Sequence, residues 1–241
     1  MTEVAVGRLT EIWRYPVKSM AGESLLRAEV SWQGLAGDRR WAFIRPGIPR
    51  SGFSWLTIRQ QPRMWHYRPA FAEPADPDRS PTIVRTPDGR ELEITDPRLA
   101  AELGDDLRVI KQDRGIFDSL ALSLITTRSI ADLEALLGLV GGELDARRFR
   151  PNLLVEPYGT AGFPEDGWLG AVLRIGSMRM RVDRQDPRCV VITVDPDRLD
   201  SSPAVLRTVV QQRRTFLGVY GSTVTPGTVA VGDEVVLESL L

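Results

Sequence analysis

Thr228-Val-Ala-Val-Gly-Asp-Glu-Val-Val-Leu237 reads as two short runs of β-branched residues that meet at Gly232-Asp233. Strand formers on either side of a Gly-Asp turn predict a β-hairpin closing the chain. The same pattern recurs upstream. Val4-Ala5-Val6 with Leu9, Ile12 to Tyr15, Leu25 to Ser31, Trp41 to Ile44 and Phe53 to Ile58 have strand composition. Gly34, Gly37, Pro46-Gly47 and Pro49 separate several of them. Residues 73–82 form a polar, proline-rich loop, and Asp88-Gly89 supplies the positive φ values a tight hairpin needs. Leu153 to Val155, Ala171 to Ile175, Met178 to Val182 and Val190 to Val194 read as further strands.

Helical spacing is confined to two places. Ile130, Leu133, Leu136 and Leu137 share one face, with Thr127 or Ser129 to cap the start and Gly138 or Gly141 to end it. A second, weaker helix is predicted from about Pro203 to Arg213. The reading is therefore mainly β (α+β), with a boundary near residues 112–119 between an N-terminal β module and a C-terminal mixed module. Strands and helices do not alternate, and neither a G-x-G-x-x-G nor a P-loop is present, so a doubly wound nucleotide fold is disfavoured.

The chain has 241 residues, 31 basic and 32 acidic, for a net charge of −1. No excess positive charge is available for a nucleic-acid backbone or an anionic membrane, and nucleic acid is excluded as an expected partner. One cysteine, Cys189, and one histidine, His66, cannot build an internal disulfide, a Cys/His zinc site or a cysteine-ligated cluster. No run approaches a membrane span, and the N-terminus lacks a secretory pattern, so the expectation is a cytoplasmic protein without a membrane partner. Only two of the basic residues are lysines, Lys18 and Lys111. A lysine is thus more informative here than usual, because its donor geometry differs from that of arginine.

Cys189 stands in Asp186-Pro-Arg-Cys-Val-Val-Ile-Thr-Val-Asp-Pro-Asp197, where a polar loop is expected to turn into an apolar strand. A thiol at such an edge, beside Arg188, has a cation that favours thiolate. A cysteine–histidine nucleophile would have to recruit His66, which lies between Trp65 and Tyr67 in a stretch suggestive of strand surface or core. Around the thiol, Lys18-Ser19, Gly37-Asp-Arg39-Arg40, Arg59 and Arg147-Arg-Phe-Arg150-Pro-Asn152 place cations near hydroxyl and amide groups. Such a set suits an anionic, hydrogen-bonding ligand, and the helix start near Thr126-Thr127 adds backbone donors for a phosphate.

Seven segments occur together in order: Tyr15-Pro-Val-Lys-Ser-Met20, Gly34-Leu-Ala-Gly-Asp-Arg-Arg-Trp41, Thr57-Ile-Arg-Gln-Gln-Pro-Arg63, Arg148-Phe-Arg-Pro-Asn152, Glu165-Asp-Gly-Trp168, Arg188-Cys189 with Thr193-Val-Asp-Pro-Asp197, and Gly227 to Val235. In this the chain resembles MOSC-domain proteins that carry the MOSC N-terminal β-barrel domain, such as the mitochondrial amidoxime-reducing components. The resemblance covers essentially the whole length. It implies two β-barrel-like modules with a few helices, residues 1–115 and 116–241.

It also implies a molybdenum cofactor, a pterin dithiolene with one phosphate, held by Cys189 as the thiolate ligand to molybdenum. Lys18, Ser19, Arg39 and Arg59 from the first module, with Asp118, Ser119, Thr126, Arg150, Asn152 and Arg188 from the second, are the implied cofactor contacts. The implied activity is reduction of small N-hydroxylated or N-oxygenated substrates. Without cysteines for a cluster, the electrons are expected from a separate ferredoxin-, flavodoxin- or cytochrome-type donor protein with its reductase. Asp186 or Asp118 is a candidate for proton delivery. Two other readings suit the same thiol: a sulfur carrier that holds a persulfide on Cys189, and a module that binds the cofactor without turnover.

Overall fold

The computed structural model describes residues 3–45 and 55–238. Pro46-Gly47, Pro49 and the start of the run Phe53 to Ile58 lie outside the described residues. The first half contains β1 (Glu3–Arg14), β2 (Glu23–Leu25), β3 (Arg27–Ser31), β4 (Gly34–Leu35), β5 (Trp41–Ile44), β6 (Arg68–Phe71), β7 (Thr82–Arg85), β8 (Glu91–Glu93), α1 (Pro97–Leu103) and β9 (Arg108–Lys111). The second contains β10 (Leu122–Thr126), α2 (Thr127–Leu137), β11 (Leu153–Pro157), β12 (Val172–Ile175), β13 (Met178–Pro187), α3 (Pro203–Arg213), β14 (Phe216–Thr225), β15 (Gly227–Ala230) and β16 (Glu234–Glu238). The fold is mainly β, as expected.

Seven strands close into a barrel in the order β11-β10-β14-β13-β12-β16-β1, with β1 pairing back onto β11. Only β10 and β11 run parallel among these neighbours. Within the ring each strand has a neighbour on both sides, with β2 added outside it on β1, and alternate side chains turn inward, so Leu9, Leu124, Leu153, Met180, Val219 and Val235 fill the interior. β1 is the seam. The two short runs expected from Val4 to Tyr15 are one strand, whose register shifts between Ala5 and Gly7 and between Leu9 and Glu11. Those irregularities bend it so that it pairs with β16 on one edge and β11 on the other.

The closing hairpin is not one. Asp233 makes the expected turn, donating from its amide to the Ala230 carbonyl at 3.0 Å and accepting the Ala230 amide on Oδ2 at 2.8 Å. Beyond it the strands part: β15 pairs with β3, whereas β16 pairs with β1 and β12. Turn residues dictate local geometry, but apolar burial decides strand partners. Val229 and Val235 reach the same core from two different sheets. At Asp88-Gly89, in contrast, β7 and β8 pair directly, with Val84 opposite Leu92.

A second core, built on Val17, Phe43, Met64, Trp65, Leu99 and Leu103, lies under the small sheets β5–β9 and β6–β7–β8. α1, capped by the Asp96 side chain with Pro97 in its first turn, was not legible because seven residues are too few to show a helical period. A third core holds α2 and α3 against the barrel through Ile125, Leu133, Val205, Val209 and Leu217. α3 has the expected bounds. α2 ends on Gly138 in the left-handed conformation, and Thr126, not Thr127 or Ser129, caps it. Leu136, expected on its buried face, is exposed.

Val190 to Val194 is not a strand. Residues Val190–Thr193 form a 3-10 turn. Ile192 points into the helical core and Val191 packs on the second core, while Val190 is exposed. A strand alternates between two directions and cannot serve three.

Candidate functional site

The turns after β1 and β4 face the ends of β11 and β13 across a cleft of about 280 Å³. Cys189 lies on this cleft, half-buried, at the start of the 3-10 turn. It follows β13 rather than preceding a strand, the reverse of the expected order. Its Sγ accepts a hydrogen bond of 3.1 Å from Arg59 Nη2, and that contact holds the guanidinium pKa above its ordinary value.

Lys18 enters from the turn after β1, fixed by its amide on the Trp41 carbonyl at 2.7 Å. Its Nζ donates to the Ile116 carbonyl at 3.0 Å and to Asp118 Oδ1 at 2.6 Å. Burial draws the ammonium pKa down against the pull of Asp118. Burial pushes the Asp118 carboxyl upward, but Lys18 and Arg59 together outweigh it and leave the carboxyl below its usual range. Ser19, Arg39 and Arg150 all hold left-handed backbone, with φ of 68, 51 and 50°. Such conformations are uncommon outside glycine and mark places where the surroundings impose the chain path.

Arg39 and Arg150 both face the ring of Tyr15, at 4.7 and 4.2 Å from its centroid, and Arg150 also lies 4.9 Å from that of Trp65. Arg39 is neutralised by Asp38. Among the described residues Arg150 has no carboxylate partner; burial pulls its pKa down to about 10, and the neighbouring Arg39 adds to the effect. One nitrogen, Nη1, donates to the Met20 carbonyl at 2.8 Å, and Nη2 is buried without an acceptor. A guanidinium left short of acceptors in a buried cleft is costly unless a ligand completes it.

Asn152 and Arg188 line the cleft but are committed to the protein. The Asn152 amide donates to the Trp13 carbonyl and Asp38, and accepts from the Ser123 amide and hydroxyl. Arg188 donates to the carbonyls of Leu217 and Phe149 and pairs with Asp186 at 2.8 Å. Gly218 makes room for it: at φ +76°, a Cβ there would sit 2.9 Å from both Arg188 Nη2 and the Leu124 carbonyl.

Of the residues singled out in the sequence, Lys18, Ser19, Arg39, Arg59, Asp118 and Ser119 reach the cleft from the first half of the chain and its junction. Arg150, Asn152, Arg188 and Cys189 reach it from the second. Thr126 does not. Fully buried, it accepts the Ser129 amide at 3.1 Å and donates to Glu165 Oε2 at 2.7 Å. Ser129 donates to the same carboxylate at 2.6 Å. The start of α2 is therefore already filled by the protein's own Glu165 carboxyl, whose pKa burial raises, and the Glu165-Asp-Gly-Trp168 segment is structural. His66 lies on another turn, bonded to the Asp197 carbonyl at 2.9 Å.

Arg184 went unread in the sequence, and Asp186 and Arg148, noted there as a proton-delivery candidate and as part of a basic segment, find their places only in the fold. Arg184 and Asp186 continue the inward register of β13 after Met178, Met180 and Val182, a period-two signal that runs out of the core into the cleft. Burial raises the Asp186 carboxyl to about 6 despite Arg188 and the Tyr220 hydroxyl. Arg148 reaches across to Asp195 at 2.8 Å and the Thr193 carbonyl at 3.1 Å, clamping the turn that carries Cys189.

A closed β-barrel that joins a second β module across a cation-rich cleft with one thiol defines a class of single-cysteine β-barrel binding proteins. The chain belongs to the MOSC family: residues 111–236 match the family model of the MOSC domain, and residues 6–114 match that of the MOSC N-terminal beta barrel domain. It is similar to mitochondrial amidoxime-reducing component 1 of Homo sapiens, 26% identical over 293 residues that cover 96% of this chain and 83% of that protein. Mitochondrial amidoxime reducing component 2 of Bos taurus is 24% identical over 296 residues, 95% of this chain and 83% of that one. The crystal structure of the YUAD protein from Bacillus subtilis shares the fold, with a TM-score of 0.55 and 12% identity over 100% of this chain and 99% of that one.

Proposed function

We propose that this chain binds a molybdenum cofactor between its two modules and reduces small N-hydroxylated substrates with electrons from a separate donor protein. The observation that carries the reading is the lone Cys189 sulfur facing a cleft lined by seven cationic side chains and two carboxylates. The residues fit the group. A thiolate is a suitable ligand for a thiophilic metal, and Arg150 Nη2 is an unfilled donor for phosphate or pterin oxygen. Lys18, Ser19 and Ser119 supply shorter-range donors beside it. Arg39, Asn152 and Arg188, spent on protein partners, orient rather than bind.

When bound, the cofactor supplies two-electron redox chemistry at its metal; the chain supplies position, charge and protons. Converting N–OH to N–H consumes two electrons and two protons and releases water. Asp186, held at about 6, is the cleft carboxyl that exchanges a proton nearest neutral pH. Arg59 fixes the direction of the Cys189 Sγ lone pair through its hydrogen bond. Metal and pterin analysis after expression in a cofactor-competent host tests the reading. Molybdenum and pterin near one per chain, loss of molybdenum in Cys189→Ser, and benzamidoxime reduction with an artificial donor are expected. A folded, native protein free of molybdenum would overturn it.

A further inference from the structure

The cleft carries more positive charge than the protein compensates, and the excess is unevenly placed. Lys18, Arg39, Arg148 and Arg188 are each paired with a carboxylate: Asp118, Asp38, Asp195 and Asp186. Arg59, Arg150 and Arg184 have none among the described residues. Arg150 is deep, stacked on Tyr15 and Trp65. Arg59 and Arg184 are exposed at the rim, where the first donates to Cys189 Sγ and the second to Ser119 Oγ, neither a carboxylate. Between rim and floor the wall is apolar, formed by Ile58, Phe117, Leu120 and Val191.

We propose that this rim selects substrates bearing an anionic substituent, an aromatic or apolar body with a carboxylate that Arg59 and Arg184 receive while the apolar wall holds the body. The inference deepens the function proposed above, because it names the substrate class of the same cleft. Arg150 is the deep cation left for the cofactor phosphate, so the two rim guanidiniums remain for a second anion. A guanidinium fork matches a carboxylate in two parallel hydrogen bonds, and the partial exclusion of water in a cleft strengthens them. Arg59 lies 3.1 Å from the sulfur, which places the anion within a substrate's length of the reacting centre. The carboxylates facing this rim are Asp118, paired with Lys18 and also feeling the Arg59 charge, and the buried Asp186, paired with Arg188; neither forms an ion pair with Arg59 or Arg184.

The test is titration calorimetry of the whole protein, as isolated from a cofactor-competent host, with benzoate and with benzamide. Benzoate is expected to bind at least about tenfold more tightly, with the advantage shrinking as salt is raised from about 0.05 to about 0.5 M. Arg184→Gln and Arg59→Gln are each expected to remove most of that advantage, and Arg184→Gln is expected to leave benzamide binding as it was. Turnover supplies a second reading. The ratio of kcat/KM for 4-carboxybenzamidoxime over benzamidoxime is expected to exceed one in the native protein and to fall about tenfold in Arg184→Gln, with cofactor loading cancelling in the ratio. Equal binding of benzoate and benzamide, or a benzoate preference untouched by both substitutions, overturns the inference. A protein that prefers benzoate but contains no molybdenum overturns the reductase reading and leaves anion selection standing.

Discussion

Replacing Arg148 by methionine removes the clamp behind Cys189. The side chains of Arg148 and Asp195 are only 6 and 11% exposed, and their 2.8 Å contact joins the loop before β11 to the end of the 189–195 turn. Removing one partner of a buried ion pair costs about 3–5 kcal/mol, because the other charge stays buried. Here Asp195 keeps the Asp197 and Arg198 amides, at 3.0 and 2.9 Å, and the more distant Arg198 guanidinium at 3.5 Å. The loss is therefore expected at the lower end, about 3 kcal/mol, which for a chain of this size lowers Tm by roughly 6–12 °C. Arg148→Met/Asp195→Leu is expected to recover part of the loss, since neither charge remains to be stranded. Urea and thermal unfolding measure the energies, and the rate at which iodoacetamide alkylates Cys189 in native protein reports on the turn. A loss below about 1 kcal/mol with unchanged alkylation would refute the clamp.

Two further expectations follow from single atoms. Gly218→Ala puts a Cβ into left-handed backbone against Arg188 and the Leu124 carbonyl, and is expected to cost about 2 kcal/mol or more in urea unfolding; a change under about 0.5 kcal/mol contradicts the packing. Asp186 titrates at about 6 in the fold and 3.8 in the unfolded chain, so the folded state holds the extra proton between those values. Its contribution is present at low pH and is lost as pH rises through 6. The stability advantage of the native protein over Asp186→Asn is expected to fall by about 2 kcal/mol from pH 4 to 7, and a pH-independent difference would show that Asp186 is an ordinary carboxylate.

The site was legible in unequal parts. Lys18 and Cys189 stood out because a rare residue type beside turn formers is visible in a linear string, Arg59 entered only as one of a set of basic loops, and the ordered segments pointed to the same family that the full-length matches show. Thr126 was misassigned because a helix start looks like an anion site until its occupant is known, and that occupant, Glu165, lies 39 residues away. Arg184 was missed, and Asp186 was reached only as a proton-delivery candidate from its place beside Cys189, because the inward alternation of β13 acquires meaning only where the barrel interior ends.

Local pattern was enough for the β class, the central helix and its glycine stop, the α3 bounds, and the uniqueness of the thiol, because backbone period and turn chemistry act over a few residues. Tertiary structure alone decided that β1 closes the barrel, that β15 and β16 part after their turn, and that Val190–Thr193 coils into a 3-10 turn. It alone decided which arginines keep an unanswered charge. Strand partners and counter-ions are chosen by burial among residues far apart in the chain, and a one-dimensional string records neither the neighbour nor the loss of water that makes the neighbour matter.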